Sequence, residues 1–389
     1  MGKRVGIEVS LAVSEAVKLA NADVVAAYPI TPQTHIVEHL SELVADGQLD
    51  AAYIPVESEH SAMSTCIGSS AAGARTYTAT SSQGLALMNE MIYIAPVLRT
   101  PIVLTVANRA LSAPINIWND HSDIMSVRDA GWINLFAENG QEALDLTLLA
   151  FRIGEDKSVS LPVAVNIDGF TLSHFIEPIL IPDQEEVNKF LPPFEPSLKL
   201  DIKKPISIGL LGGPEYYFEA RKATDDILIG AKKVVVTAFE EFEKVFGRRY
   251  HPVETYRVED AETVIVVMGS IAETAMTTVD ELRETGRKVG LARLRLWRPF
   301  PVEELLAVLK GVKNVAVIDR HMIMGYPGGP VGVEVKSLLY DIAETKPNVS
   351  NFILGLGGRD VTRDSFKYIF ERAAATTAGR KFELVGVLA

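Results

Sequence analysis

Three short stretches place side chains of the right type where α/β proteins do chemistry. In the first, an apolar run over 24–28 gives way to Pro29, Ile30, Thr31 and Pro32, then to a helix-period pattern over 32–45 with Ile36, Val37, Leu40, Leu43 and Val44 on one face and Gly47 closing it. Thr31 then stands where a buried strand ends and a helix begins, the position at which open α/β sheets receive anionic groups. Its hydroxyl suits capping that helix equally well, with Pro32 at the first helical position. In the second stretch, Val56-Glu57-Ser58-Glu59-His60 leads into a helix of small residues over 61–73. Small side chains let another backbone or a flat ligand approach closely. Glu59 falls in the first turn, where a carboxylate complements the helix dipole by ~0.3–1 kcal/mol, so charge complementarity alone would account for it. In the third, Arg109 directly follows the apolar run 102–107. A guanidinium at a strand's carboxyl end suits a bidentate grip on a substrate carboxylate, or a salt bridge to a neighbouring loop acid. The loop beyond it, LSAPINIWNDHSD over 111–123, carries Trp118, Asn119, His121 and Asp123. His and Asp in one loop are a weak metal signal, and a hydrogen-bonded lid fits them better.

These stretches need a parallel sheet to hold them. Candidate strands over 24–28, 75–80, 102–107 and 161–166 are apolar on both faces, as covered parallel strands are, and helical segments over 9–20 and 32–45 separate the early ones. Alternation of this kind predicts an α/β fold. Prolines 178, 182, 192, 193, 196 and 205 then break both periodicities and mark a connector. A helical pattern of one or two helices returns over 215–246. From 261 onward the strand over 263–268, the turn Gly269-Ser270, the helix over 272–285 and strands over 288–293 and 314–318 form a second, smaller α/β unit. The expected organisation is a first domain over 1–200, a connector with its helical segment over 201–259, and a second domain over 260–389.

Composition narrows the function. With 38 Lys+Arg against 50 Asp+Glu, the 389 residues carry a formal charge of −12, which gives no basic field for nucleic acid. Glu8 and Glu15 interrupt the basic-tipped start before it could serve as a signal core, and no run approaches the ~18 apolar residues of a membrane span, so a cytoplasmic protein is expected. The single cysteine, Cys66, excludes an intrachain disulfide and a zinc or iron–sulfur site built from this chain's thiolates. No P-loop, G-x-G-x-x-G, H-E-x-x-H or G-x-S-x-G motif occurs.

Taken in order, YPITPQT (28–34), VESEHSAM (56–63), TYTATSSQGLALMNEM (76–91), NRAL (108–111), the IWNDHSD stretch, RDAGW (128–132), WRPFP (297–301) and LGGRDV (356–361) resemble the alpha subunit of the multi-subunit pyruvate (2-oxoacid):ferredoxin oxidoreductases. The resemblance implies a parallel-sheet domain that grips the pyrimidine ring of thiamine diphosphate (TPP), joined to a smaller transketolase C-terminal-like α/β domain. It implies that Glu59 hydrogen-bonds the cofactor's pyrimidine ring, that Pro29 lines the pocket, that Thr31 and Arg109 hold the 2-oxoacid carboxylate, and that residues 118–123 close over the site. The implied reaction is oxidative decarboxylation of a 2-oxoacid to acyl-CoA and CO2, pyruvate fitting best, with coenzyme A as co-substrate. The G-D-G motif that anchors the diphosphate through Mg²⁺ is missing, since Ile167 precedes Asp168-Gly169. No metal site is therefore expected on this chain. Mg²⁺ and the diphosphate fall to a beta subunit, the 4Fe–4S clusters to a ferredoxin-like subunit, and a gamma subunit completes the hetero-oligomer. Aryl or branched-chain 2-oxoacids (phenylglyoxylate, indolepyruvate, 2-oxoisovalerate) are the alternatives. A lipoamide-linked dehydrogenase component and a non-catalytic scaffold are the further rivals.

Overall fold

The computed structural model describes residues 2–342, 346–375 and 382–388. Its largest sheet has seven strands in the order Leu296–Arg298, Ile133–Phe136, Val163–Asp168, Ile102–Asn108, Thr76–Thr80, Val24–Ala27, Ala52–Pro55. All neighbours but the first pair are parallel. The strands Ile133–Phe136, Thr76–Thr80, Ile102–Asn108 and Val163–Asp168 are buried throughout because helices cover both faces. Helices Val9–Leu19, Thr34–Ala45 and Gly140–Gly154 pack one face; Glu59–Ala71 and Asn89–Val97 pack the other. A side sheet pairs Lys3–Glu8 antiparallel to Ile176–Ile181.

The expected one or two helices over 215–246 are a single 33-residue helix, Pro214–Phe246, ended by Gly247 in the left-handed conformation (φ 71°). It is no free bridge. Ala231, Val235, Ala238, Phe239 and Phe242 complete the first core, so the material packed against the first sheet extends past residue 200.

The second sheet runs Phe382–Leu384, Asn348–Ile353, Asn314–Asp319, Thr263–Val267, Val289–Leu294, Val253–Tyr256, parallel except at the last pair. Its chain does not stay within it. Leu296–Arg298 crosses over to pair with Ile133–Phe136 at the edge of the first sheet. Beside this crossing, Glu142 accepts hydrogen bonds from Arg293 (2.8 Å to each oxygen) and Arg295 (2.6 Å), all three buried. No helix of the described residues is long and apolar enough to cross a membrane.

Candidate functional site

Because neighbouring strands of the large sheet run parallel, the residues that leave Val24–Ala27, Ala52–Pro55, Thr76–Thr80, Ile102–Asn108 and Val163–Asp168 gather at one edge. Pro29 and Thr31, Glu59, Ser82 and Gly84, Arg109 and Asp168 are those residues. Sequence spacing thus brings the four core candidates to one side of the fold.

The detail at Thr31 differs from the capping geometry expected of it. The helix begins at Thr34, its N-cap is Gln33, and no side chain caps it. Gln33 is buried and spans instead to the neighbouring strand, its Nε2 donating to the Ala79 carbonyl (2.7 Å) while its Oε1 accepts from the Ile30 N–H (3.2 Å). That brace holds 30–33 out as a separate turn. The Thr31 side chain is left exposed.

Among the described residues Arg109 makes no salt bridge to a neighbouring loop acid. Its Nε donates to the Asn116 carbonyl (2.8 Å) and its Nη1 to the Thr31 carbonyl (2.9 Å), so Thr31 and Arg109 meet through main chain. The residue is 6% exposed, and burial lowers its pKa, opposed by the charge of Asp123. A guanidinium held by two neutral acceptors keeps its charge uncompensated at contact and has Nη2 uncommitted among the described residues. Such a group is ready for an anion.

Glu59 is the first residue of its helix, behind Ser58, whose hydroxyl accepts from the Ser61 N–H (3.3 Å). It is 5% exposed, and burial raises its pKa, moderated by its own backbone N–H. No side chain of the described residues hydrogen-bonds its carboxylate. Across from it lies Gly84, where a Cβ would fall 2.6 Å from Glu59 Oε1 and 2.4 Å from Thr80 Oγ1. Thr80 Oγ1 is itself buried without a partner among the described residues. A buried carboxyl, an orphaned hydroxyl and a glycine pressed against both supply hydrogen-bonding groups and a close backbone approach of the kind that the pyrimidine of TPP would need.

The 118–123 loop splits into two parts. Asn119, His121 and Asp123 are buried. Asn119 Oδ1 accepts from Arg320 (2.7 Å), His121 Nε2 pairs with Asp168 Oδ1 (2.9 Å), and Asp123 accepts the Arg109 N–H (2.9 Å). These three are buried and bonded at the root of the loop. Trp118 is 51% exposed, leaning on Phe170 at 4.7 Å between ring centroids. Beneath it the LGGRDV segment of the second domain comes so close that a Cβ on Gly358 (φ 80°) would lie 2.3 Å from Trp118 Cβ. The Gly358 N–H donates to the Asn119 carbonyl (2.7 Å), and Asn116 Nδ2 donates to the Gly357 carbonyl (3.0 Å). Sequence reasoning missed this support for Arg109 through Asn116, since nothing local links residues 241 positions apart.

Asp168 is spent on the domain junction. Besides His121 it binds Arg320 Nη1 (3.1 Å) and the Ser270 N–H (2.9 Å), and these partners hold its pKa far below the usual carboxylate range despite burial. Gly169 is required by contact, since a Cβ would lie 2.5 Å from the Asn108 carbonyl oxygen and 2.6 Å from Pro32 Cγ. The Asp-Gly pair joins sheet, turn and second domain. Among the described residues no three His, Cys, Asp or Glu gather as a metal ion would need.

The class follows from fold comparison. The chain superposes on a 2-oxoglutarate:ferredoxin oxidoreductase from Magnetococcus marinus (TM-score 0.71, 21% identity, covering 95% of this chain and 65% of that one) and on a split-gene transketolase (TM-score 0.56, 11% identity, 95% and 98%). Those likenesses give the fold, an α/β unit followed by a smaller transketolase C-terminal-like one, and the TPP-binding role comes from the family models. Family models then match residues 15–240 (pyruvate flavodoxin/ferredoxin oxidoreductase, thiamine-diphosphate-binding) and 261–366 (pyruvate:ferredoxin oxidoreductase core domain II). Similar chains include pyruvate synthase subunit PorA of Pyrococcus abyssi (53% identity, 89% of this chain, 88% of that one) and of Methanothermobacter thermautotrophicus (49%, 94% and 94%). Ketoisovalerate oxidoreductase subunit VorA of Pyrococcus horikoshii is also similar (46%, 90% and 89%). The chain belongs to the pyruvate:ferredoxin oxidoreductase family and is a subunit of a TPP-dependent 2-oxoacid oxidoreductase.

Proposed function

We propose that this chain is the alpha subunit of a pyruvate:ferredoxin oxidoreductase of the pyruvate synthase type, catalysing oxidative decarboxylation of pyruvate to acetyl-CoA and CO2. The observation that carries the substrate class is Arg109, a buried guanidinium held by the Thr31 and Asn116 carbonyls with no carboxylate on its Nη2. Arg109 and the Thr31 hydroxyl orient the 2-oxoacid carboxylate. Glu59, with Thr80 and Gly84, receives the pyrimidine ring of TPP and, as a carboxylate, takes up a proton at a carboxyl oxygen, and Pro29 lines the site. Bound TPP supplies the electron sink for loss of CO2. Residues 112–118 exclude water by closing over the occupied site.

The remaining partners are proposed from what this chain spends elsewhere. Asp168 is consumed by the domain junction, so Mg²⁺ and the diphosphate belong to a beta subunit. Cys66 is the single cysteine and burial pushes its thiol up to about 12, so the 4Fe–4S clusters belong to a ferredoxin-like partner, with a gamma subunit completing the assembly. Coenzyme A takes the acyl group. A surface of exposed Ile202, Leu210, Leu211, Tyr216, Tyr217 and Phe218 supports life within a larger complex.

Likeness to a ketoisovalerate oxidoreductase subunit keeps a branched-chain substrate as the second reading. Co-expression with the partner chains, followed by CoA-dependent viologen reduction on a 2-oxoacid panel, tests both. Pyruvate should give the highest kcat/KM. A preference for 2-oxoisovalerate would overturn the substrate, and failure of every 2-oxoacid would overturn the site reading.

A further inference from the structure

Asp123 lies in the stretch marked as a candidate lid, yet it is fully buried and carries four hydrogen bonds. Its Oδ2 accepts the N–H of Arg109 (2.9 Å) and the N–H of Ser82 (3.0 Å). Its Oδ1 accepts from Asn108 Nδ2 (3.0 Å) and from the Ile124 N–H (2.7 Å). Ser82 turns the chain out of the strand Thr76–Thr80 at φ 46°, two residues before the glycine that faces Glu59. Arg109 is the first residue beyond the strand Ile102–Asn108. A single carboxylate oxygen therefore ties together two strand ends, one leading to the cradle of Glu59 and one carrying the guanidinium.

We propose that Asp123 is a positioning residue for 2-oxoacid recognition: it sets the direction in which Arg109 leaves the sheet and couples that direction to the Ser82–Gly84 turn. The proposal rests on the reading of Arg109 as the carboxylate-binding group. Asp123 acts through that residue and touches only protein. All four of its partners are donors, so only a group with acceptors on both ends satisfies them. A carboxamide turned with its oxygen toward Arg109 and Ser82 would keep both of those bonds, whereas Asp123→Ala removes both oxygens and leaves the two buried N–H groups unpaired, which forces a shift of the chain.

The test uses the reconstituted complex and three readouts: KM for pyruvate, KM for coenzyme A and TPP content per complex. Asp123→Ala should raise the pyruvate KM by ~10- to 100-fold, the scale expected when a binding group is displaced by about 1 Å, with TPP content and the KM for coenzyme A unchanged. Asn108→Ser removes a donor to Oδ1 but leaves both bonds to Oδ2, and should keep the pyruvate KM near wild type. A wild-type pyruvate KM in Asp123→Ala, or equal rises in both variants, would overturn the proposal. Inactivity of the wild-type complex toward every 2-oxoacid would instead remove the reading beneath it. If Asp123→Ala does not assemble, hydrogen exchange on the wild-type complex decides. Peptides covering the Ser82 and Arg109 amides should be protected like the strand interiors, and exchange at the rate of an open loop would overturn the proposal.

Discussion

Glu59 and Arg109 are prepared in opposite electrostatic senses. Glu59 is buried against small residues, so its charged form is disfavoured and its pKa lies above that of an ordinary glutamate. The acid limb of kcat/KM should therefore fall above the usual ~4.3 of glutamate, with activity lost as pH drops through the raised value. Glu59→Gln should leave assembly intact and lower turnover ~10²-fold or more. Near-normal turnover in that variant would return Glu59 to a helix-dipole role. Arg109 is held by carbonyls, so its positive charge is available to a ligand. Arg109→Lys keeps charge but loses the fork, and loss of a charge-assisted bond worth ~1.5–3 kcal/mol corresponds to about a ten- to hundredfold fall in kcat/KM. Because Arg109 takes the Thr31 main-chain oxygen, Thr31→Val leaves that bond in place and tests the hydroxyl alone. Its smaller loss should be non-additive with Arg109→Lys if both groups hold one anion. Strictly additive losses, or TPP missing from the Arg109 variant, would assign the arginine to structure or cofactor.

Among the elements, those with a strong local period were readable and those defined by partners were not. The strands over 24–28, 75–80 and 102–107 lie within a residue of their positions, and the one over 161–166 is shifted to Val163–Asp168. Thr31 looked like an N-cap because Thr-Pro before an apolar stripe is a helix start by composition. What displaced the start to Thr34 is Gln33 reaching the Ala79 carbonyl across the sheet, a contact 46 positions away. Leu296–Arg298 could not be assigned to the first sheet for the same reason. That Glu59, Arg109 and Thr31 share one edge of the sheet was legible because strand ends and helix starts are local features, whereas the Asn116–Gly357 link behind Arg109 is not. That link predicts a loss of substrate binding from the second domain: Gly358→Ala, at positive φ and against Trp118 Cβ, should push residues 116–118 outward and raise the pyruvate KM, measured beside unchanged TPP content. The crossing at Glu142 gives a prediction for stability. Burial holds Glu138 up at about 7 despite Arg293 at 3.0 Å, with Glu142 and Glu273 adding to the rise. The unfolded chain gives up that proton near ~4.3, so this group weakens the fold as pH climbs from about 4.3 to 7. Glu142 behaves oppositely. Arg295 and Arg293 overcome its desolvation and hold it down at about 2, so its stabilisation is full above ~4.3 and disappears as pH falls toward 2. Melting temperatures measured from pH 5 to 8 should show Glu138→Gln flattening the decline, while Glu142→Gln, which leaves Arg293 to Glu138 and Arg295 to Glu254, should cost roughly 1.5–3 kcal/mol at pH 7 through the weakened charge-assisted bonds.

For the whole molecule, the same interdomain contacts that make a rigid site also make an incomplete one. Asp168 closes the junction by binding His121, Arg320 and Ser270, which leaves it no oxygen free for a cation at the sheet edge. On the proposed reading the pyrimidine-binding group Glu59 and the anion-binding group Arg109 remain, at an edge on which the Thr31 side chain is exposed. A cofactor with a ring at one end and a diphosphate at the other would find only the first half of its site here. Ring burial and two or three hydrogen bonds, without the metal-bridged diphosphate, leave little to offset the loss of rotational and translational freedom on binding. The isolated chain should therefore take up TPP weakly and show no 2-oxoacid turnover. Titration calorimetry on the purified chain, with and without Mg²⁺, should show no dependence of binding on the metal, while addition of the partner that carries the diphosphate site should make binding both tight and metal-dependent. Micromolar, Mg²⁺-dependent uptake by the chain alone would mean that its own residues hold the diphosphate, and that Asp168 can leave Arg320 to do so.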